Sequence, residues 1–143
     1  MAPADFTDRG EHSLKVILQS LDPALRHGEY VFCTFPGADY GDHADMEPIA
    51  SCWEREGMTL VVPRAAADAK GFRYGTTYRA VSFGVHSSLD SVGLTAVVTQ
   101  RLATHGISVN VIAGYYHDHL FVPTQSADDT LRALQELRDS QSG

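Results

Sequence analysis

The segment from His86 to Thr95 has the clearest capacity to bind a small molecule. The apolar pattern predicts a strand before it and a helix after it, so the segment joins a strand end to a helix start. Free backbone N–H groups and the positive end of the helix dipole favour a carboxylate at such a position. Alternatively, Ser87 and Ser88 only cap the helix, although capping does not explain Val92 to Leu94.

A glycine inside a predicted helix is the second unusual feature of this segment. Gly93 costs roughly 1 kcal/mol of helix propensity relative to alanine, so something must approach the backbone closely there. A packed neighbour is the simplest explanation, and a bound ligand is the other. The candidate ligand-binding residues of the segment are His86, Ser87, Ser88, Val92, Gly93 and Leu94.

Asn110 is the only asparagine in the chain and lies on a predicted strand. Its side-chain amide can donate and accept hydrogen bonds, which suits an α-amino or a carboxylate group of a ligand. A hydrogen bond that fixes the neighbouring loop explains it equally well, because buried amides normally have a partner. Asn110 is therefore a further candidate ligand-binding residue.

A cluster of histidines indicates a different chemistry. His117 and His119 lie two residues apart on a predicted strand and face the same side, so they could ligate Zn²⁺ together with His86 or Asp118. A pair of His117 with Asp118 for acid/base work is disfavoured, because adjacent strand residues point to opposite faces. No third ligand stands at an established zinc spacing. We therefore predict no metal, no cofactor and no catalytic residue, and we assign His117 to the lining of a ligand site.

Charge and composition exclude several classes of protein. Eleven Lys and Arg against eighteen Asp and Glu give a formal net charge of -7, so the basic stripe of a nucleic-acid-binding protein is missing. Apolar runs are far shorter than the roughly 20 residues needed to cross a bilayer. Cys33 and Cys52 form no C-x-x-C pair and no secretory signal is recognisable, so we expect a reduced, cytoplasmic protein without a membrane partner. The G-x-S-x-G, P-loop, H-E-x-x-H and dinucleotide motifs are also missing.

Hydrophobic periodicity predicts the elements that position these residues. Helices are predicted over residues 14–21, with Ser13 as N-cap and Pro23 as a stop, over 64–70, from Ser88 to about His105, and after Ser126. Strands are predicted over residues 30–35, 49–53, 58–62, 78–85, 107–114 and 119–122. The last four elements and the strand at 78–85 make five of the six elements of the ferredoxin-like plan. The sixth strand must come from residues 30–35 or from another element lent by the first half.

An internal repeat relates the two halves of the chain. A shift of 60 residues places Leu60-Val61-Val62-Pro63 on Leu120-Phe121-Val122-Pro123 and Ala67-Asp68 on Ala127-Asp128, giving five identities in nine aligned positions. Each half then has the order hairpin, proline, helix, which indicates a duplicated unit. We expect an α+β fold of tandem ferredoxin-like (βαββαβ-type) units with antiparallel sheets and helices on one face.

Two stretches resemble the ACT-domain pattern: residues 86–95, and residues 102–111 with Gly106-Ile107-Ser108-Val109-Asn110 at the second strand. Residues 28–32, 48–50 and 113–123 are similar to those of short bacterial proteins that carry two ACT-like units. The resemblance covers Ser13 to Leu137. We divide the chain accordingly into a flexible segment at 1–12, an N-terminal ACT-like unit at 13–75 and a C-terminal ACT domain at 76–143.

The resemblance also implies a function. ACT domains usually bind amino acids or similar small metabolites at an interface between two units and regulate an enzyme or a transcription factor, and Asn110 holds a strand position where they often meet the ligand. The chain is therefore expected to be a regulatory module without catalysis, homodimeric, with an amino acid or related small carboxylate as ligand. The alternatives are a metal-dependent or histidine-based enzyme that uses His86, His117, Asp118 and His119, and a ligand-free module that docks onto a partner through an apolar surface.

Overall fold

The computed structural model describes residues 10–142 of the chain. The helices are α1 (Leu14–Gln19), α2 (Arg64–Lys70), α3 (Leu94–Thr104) and α4 (Ala127–Asp139), and short 3₁₀ turns cover Ala44–Met46, Thr124–Ser126 and Ser140–Ser142. The strands are β1 (Pro23–Leu25), β2 (Tyr30–Phe35), β3 (Ala50–Glu54), β4 (Gly57–Pro63), β5 (Tyr78–Phe83), β6 (Asn110–Ala113) and β7 (Asp118–Pro123). Across residues 10–142, none of the helices has the length and apolar character that a bilayer crossing requires.

The strands form one antiparallel sheet in the order β3-β4-β2-β5-β7-β6, with β1 also paired to β5. β1 pairs with β5 over three residues, from Pro23 opposite Phe83 to Leu25 opposite Val81. β2 meets β5 only where Tyr30 lies opposite Tyr78. The sheet is therefore joined across a narrow seam, and β5 belongs to both units.

β1 is the sixth element of the second unit. The order β1-β5-β7-β6, with α3 and α4 in the connections, is the strand order of a ferredoxin-like unit. The sequence leaves two sources open for the sixth strand, and the structure shows that an element of the first half other than residues 30–35 supplies it. The pattern does not predict this strand, because three residues are too few to show a period, and Pro23 marks the end of the preceding helix. Proline is tolerated here because it is the first residue of the strand.

α1 also packs in the second unit. Ile17 and Leu18 of α1, and Leu21 just after it, are buried in the same cluster as Phe83 of β5 and Leu102 of α3. As predicted, the helix begins after Ser13, whose hydroxyl oxygen accepts a hydrogen bond from the Val16 amide at 3.4 Å. Residues 14–25 therefore supply a helix and a strand to a core built mainly by residues 78–142.

The first unit has a loop where a ferredoxin-like unit has its first helix. Residues 36–49 connect β2 to β3 and contain only the turn Ala44–Met46. The loop is nevertheless packed: the side chain of Met46 is buried, and the ring of His43 stacks on Phe35 with 4.1 Å between centroids. α2 is consequently the one helix that covers this half of the sheet within the described residues.

All four helices pack on the same face of the sheet, as predicted. Val31 and Val62 point toward α2, while Val81 and Leu120 point toward α1, α3 and α4. Alternate residues point to the other face. There the ring of Phe32 meets Tyr78 at 5.2 Å and Phe121 at 6.0 Å, edge to face, and ties the two units together across the seam.

The structure confirms the repeat. Trp53 and Met58 pair at one end of the β3–β4 hairpin, and Ala113 and Asp118 pair at the same place in the β6–β7 hairpin, 60 residues later. Both hairpins end on a proline that precedes a helical turn. Corresponding positions in the two units can therefore be compared directly.

Glu29 links the two units through one carboxylate. One oxygen accepts a hydrogen bond from Arg64 Nη1 at 3.1 Å, at the start of α2, and the other accepts from the Thr124 hydroxyl at 2.8 Å, just before α4. The Thr124 hydrogen bond is the largest influence and lowers the pKa of Glu29; Thr77 and the Arg64 guanidinium lower it further, against the opposing effect of desolvation.

Acid should therefore weaken the folded state through Glu29. A carboxyl whose pKa is lower in the folded than in the unfolded chain contributes stability above its unfolded pKa of about 4.3, and that contribution is lost as the pH falls. In urea unfolding at about pH 7 and about pH 3.5, Glu29→Gln should lose less free energy of unfolding between the two conditions than the wild type. The exposed Glu56 is the matched control, and Glu56→Gln should behave like the wild type. Identical losses in all three proteins would contradict this role of Glu29.

Candidate functional site

The loop between β5 and α3 is held in shape by its two serines. Ser87 and Ser88 are only 6% and 4% exposed although they lie in a loop. The Ser87 hydroxyl donates to Asp118 Oδ2 at 3.2 Å, and the Ser88 hydroxyl oxygen accepts from the Asp90 amide at 3.1 Å. Both side chains thus fix the loop that carries most of the candidate ligand-binding residues.

α3 begins at Leu94, so the prediction of a helix from Ser88 is wrong. Gly93 has φ +101°, a non-helical conformation that favours glycine, so the helix begins only at the next residue. Gly93 therefore stands before the first turn and not inside the helix, and a Cβ atom there would lie 3.0 Å from Leu14 Cδ2. The close contact expected from the sequence is real, and it is a packing contact with α1.

The start of α3 has no side-chain cap, because the residue in the capping position is a glycine. The first intrahelical hydrogen bond runs from the Val97 amide to the Gly93 carbonyl oxygen at 2.9 Å. The leading amides of Leu94, Thr95 and Ala96 precede it and have no acceptor inside the helix. They carry the partial positive charge of the helix end.

A pocket of about 350 Å³ lies at this helix end, and we call it the α3 pocket. Its lining consists of Ser87, Ser88, Leu89, Ser91, Val92, Gly93, Leu94, Thr95, Ala96, Ala113 and Asp118. Within this lining, Asp118 is the only acidic or basic side chain. It stands at the start of β7 and points to the helix face of the sheet. The α3 pocket therefore combines a positive helix end with one carboxylate.

Five of the candidate residues come together in the α3 pocket: Ser87, Ser88, Val92, Gly93 and Leu94. The other three do not line it. Asn110 is exposed at the start of β6, opposite Phe121 and on the helix-free face. The His117 ring nitrogen Nδ1 lies 3.2 Å from the Val85 carbonyl oxygen, and the His86 ring packs against Tyr116 with 4.8 Å between centroids.

Asp118 is the pocket residue that sequence reasoning assigned to another chemistry, as a partner of His117 in a metal or acid/base site. The alternation of side chains along a strand already distinguishes Asp118 from the neighbouring histidine of the strand. Asp118 and His119 are adjacent on β7, so the carboxylate faces the helices and the His119 ring does not, while His117 lies just before the strand. Its pairing with a loop serine could not be seen from spacing.

The histidine cluster does not assemble a metal site. In residues 10–142, no group of three His, Cys, Asp or Glu side chains is arranged to hold a metal ion. His119 lies on the helix-free face, with its Nδ1 2.6 Å from the Ser82 hydroxyl oxygen. Burial is the main cause that lowers the pKa of His119, and Arg26 and His117 lower it further. Asp118 opposes this shift, and the net lowering favours the neutral form of the ring.

The corresponding place in the first unit has a different chemistry. A pocket of about 380 Å³ lies between the loop 36–49 and the hairpin β3–β4. Met58, which lines it, stands where the second unit has Asp118. The loop 36–49 also replaces the long helix whose first turn would supply free amides. The one carboxylate in the lining, Asp42, comes from the loop and not from the strand, and the positive helix end of the α3 pocket is not repeated.

The fold and the sequence define the class of the protein. Models described as ACT domain match residues 9–79 and residues 74–136. The chain therefore belongs to the ACT-domain family and carries two such domains in tandem. No curated protein matches it.

Solved structures agree with this assignment. A Vibrio cholerae protein, described as of unknown function and as a possible transport protein, is 46% identical, with 87% of this chain and 95% of that chain covered and a TM-score of 0.79. An Agrobacterium tumefaciens protein is 18% identical, with 82% and 89% covered and a TM-score of 0.70. The regulatory subunit of aspartate kinase from Thermus thermophilus, in a ligand-free form, is 13% identical, with 82% and 97% covered and a TM-score of 0.60. The last two likenesses concern the fold.

Proposed function

We propose that the chain is a ligand-sensing regulatory module that binds an α-amino acid in the α3 pocket. The observation that carries this proposal is the position of Asp118 in the same pocket as the uncapped first turn of α3. The carboxylate of the ligand accepts hydrogen bonds from the leading amides of α3, where the helix dipole favours an anion. The α-ammonium group pairs with the Asp118 carboxylate in a charge-assisted hydrogen bond.

The charge of the pocket selects among amino acids. Asp118 balances the α-ammonium group, the helix end balances the α-carboxylate, and the lining offers no lysine, arginine or histidine for a second anionic group. An acidic side chain would therefore meet only repulsion from Asp118. Apolar atoms of Val92, Leu94 and Ala113 are available to a neutral side chain. We infer that neutral amino acids bind more tightly than aspartate or glutamate.

Two further observations support a regulatory role. Members of the ACT family are expected to bind amino acids, and the fold is shared with an aspartate kinase regulatory subunit.

Leu89 and Val92, at the rim of the pocket, are 60% and 84% exposed. Exposed apolar side chains of this kind fit coverage by a second copy of the chain, and we propose a homodimer.

A thermal-shift panel of the standard amino acids tests the function. The panel includes L-leucine with two matched analogues: 4-methylpentanoate, which lacks the ammonium group, and isoamylamine, which lacks the carboxylate. A ligand at about 100 times its Kd stabilises by about 2.7 kcal/mol and raises the melting temperature by several degrees. We expect shifts with neutral amino acids and none with the analogues. Equal shifts with 4-methylpentanoate, or none with any amino acid, would contradict the proposal.

The binding stoichiometry should be one amino acid per chain. In the first unit Met58 stands at the position of Asp118, and the one carboxylate of the pocket, Asp42, accepts a hydrogen bond from the Asp39 amide at 2.9 Å. A packed loop replaces the long helix, so this pocket has no helix end to neutralise the carboxylate of the ligand. Isothermal titration calorimetry with the amino acid that gives the largest thermal shift should return a ratio near one. A ratio near two would show that the first unit binds as well.

A further inference from the structure

The segment Gly10–Leu14, which we call the N-terminal strap, is hydrogen-bonded to the loop of the α3 pocket. The Glu11 amide donates to the His86 carbonyl oxygen at 2.8 Å, and the Ser88 amide donates to the Glu11 carbonyl oxygen at 2.8 Å. The two bonds form a short parallel bridge between Glu11 and Ser87. Residues 1–9 lie outside the described residues, but this part of the predicted flexible segment is tied to the candidate site.

The strap contacts the loop at both of its ends. Gly10 has φ +78°, and a Cβ atom at this position would lie 2.7 Å from His86 Cδ2 and 2.8 Å from the His86 carbonyl oxygen. At the other end, Leu14 Cδ2 lies 3.0 Å from the position of a Cβ atom on Gly93. The loop from His86 to Gly93 is therefore held from one side by a continuous piece of chain.

The strap is itself anchored to the core. Glu11 Oε1 accepts hydrogen bonds from the amides of His12 at 3.0 Å and Ser13 at 2.9 Å, which fixes the approach to α1. α1 then buries Ile17 and Leu18 in the core of the second unit. The position of the strap, and through it the position of the loop, is thus set by the packing of α1.

We propose that the N-terminal strap positions the pocket loop and is coupled to occupancy of the α3 pocket. The second half of this statement rests on the proposed function. A ligand that contacts Ser88 and Gly93 from the pocket side stabilises the loop conformation to which the strap pairs, so binding orders the strap. Coupling is reciprocal, so an ordered strap increases the affinity for the ligand by the same factor. Ligand binding in the α3 pocket then changes the order of the N-terminal strap.

Amide hydrogen exchange of Gly10→Ala tests the positioning role without any ligand. The matched control is Gly28→Ala, because Gly28 has a similar φ of +82° but no atom within 4 Å of its Cβ position. Both variants carry the same backbone strain, and only Gly10→Ala displaces the strap from His86. Loss of the paired hydrogen bond should raise the exchange rate of the Ser88 amide about tenfold in Gly10→Ala. Equal rates in the two variants would overturn the positioning role.

Glu11→Pro is a second variant that keeps the test decisive if Gly10→Ala disturbs more than the strap. Proline removes the amide that donates to His86 together with the Glu11 carboxylate, whereas Glu11→Ala removes only the carboxylate, keeps both backbone hydrogen bonds and serves as its control. Faster exchange of the Ser88 amide in Glu11→Pro than in Glu11→Ala supports the proposal. Identical exchange in this pair contradicts it.

The coupling is tested with an equimolar mixture of neutral L-amino acids as the probe. In the wild type the mixture should slow exchange at the Glu11 amide as well as in the pocket loop, and Gly10→Ala should weaken binding of the mixture by about fivefold or more. Protection of the loop without protection of Glu11 would overturn the coupling while leaving the proposed function intact. Faster Ser88 exchange in Gly10→Ala, with no protection anywhere by the mixture, would keep the positioning role and overturn the proposed function.

Discussion

Asp118→Asn should abolish most of the affinity for amino acids while the protein stays folded. The asparagine side chain keeps an oxygen that can accept the Ser87 hydroxyl, so the loop retains its hydrogen bond. It loses the negative charge that pairs with the α-ammonium group. Hydrogen bonds to charged groups contribute about 1.5–3 kcal/mol, so the Kd should rise roughly 10- to 100-fold. Calorimetric titration measures the change directly.

Asp90→Asn is the matched control for this experiment. Asp90 belongs to the same loop and its side chain is exposed, but it does not line the α3 pocket. The substitution removes the same charge from the same region of the surface, so it corrects for the long-range field. Equal losses of affinity in the two variants would show that Asp118 makes no direct contact with the ligand.

Ile17→Ala should destabilise the second unit by about 2–5 kcal/mol, which is the usual cost of removing a large buried side chain. Ile17 is fully buried among residues of β5, β7, α3 and α4, although more than 60 positions separate it from them in the chain. Urea unfolding measures the loss. Because the same cluster supports α3, the variant should also bind amino acids less well at temperatures near its melting transition.

Val16→Ala provides the comparison for Ile17→Ala. The two residues are adjacent on α1, but Val16 is 43% exposed and points away from the core. Its truncation should cost well under the loss seen for Ile17. Similar losses would mean that α1 does not dock on the second unit as described, and the route from the core to the N-terminal strap would fail with it.

Much of the architecture could be predicted because the signals are local and periodic. The aromatic and β-branched residues of β2 and β4, and the proline that separates each hairpin from the following helix, give element type and order directly. The repeat of Leu60 to Pro63 at Leu120 to Pro123 extends this information to the pairing of the hairpins. These features depend on neighbours in the chain, so one sequence contains them.

The remaining features depend on contacts between distant residues. β1 is a strand only because the edge of β5 is available to it, and its three residues carry no period. Gly93 precedes α3 with φ +101° and packs against Leu14, and helix propensity contains no information on either feature. Neither feature could be obtained from local pattern.

The candidate site could be predicted only in part, because some of its residues are neighbours in the chain and others are not. Ser87, Ser88, Val92 and Leu94 are neighbours in the chain and enter the pocket together. Asp118 reaches it from another strand, through the pairing of β5 with β7. Asn110 and Asp118 lie on opposite faces of the sheet. Strand alternation predicts that difference, but it does not say which of the two faces carries the helices and the pocket.

The most direct test of the account is an amide NMR titration of the wild-type protein with the amino acid that gives the largest thermal shift. Binding as proposed should move the resonances of Leu94, Thr95 and Ala96 most, together with those of the loop from Ser87 to Gly93 and of Asp118. The residues of the loop 36–49 should move little. Shifts centred on that loop, or on the helix-free face around Asn110, would place the ligand elsewhere and contradict the central claim.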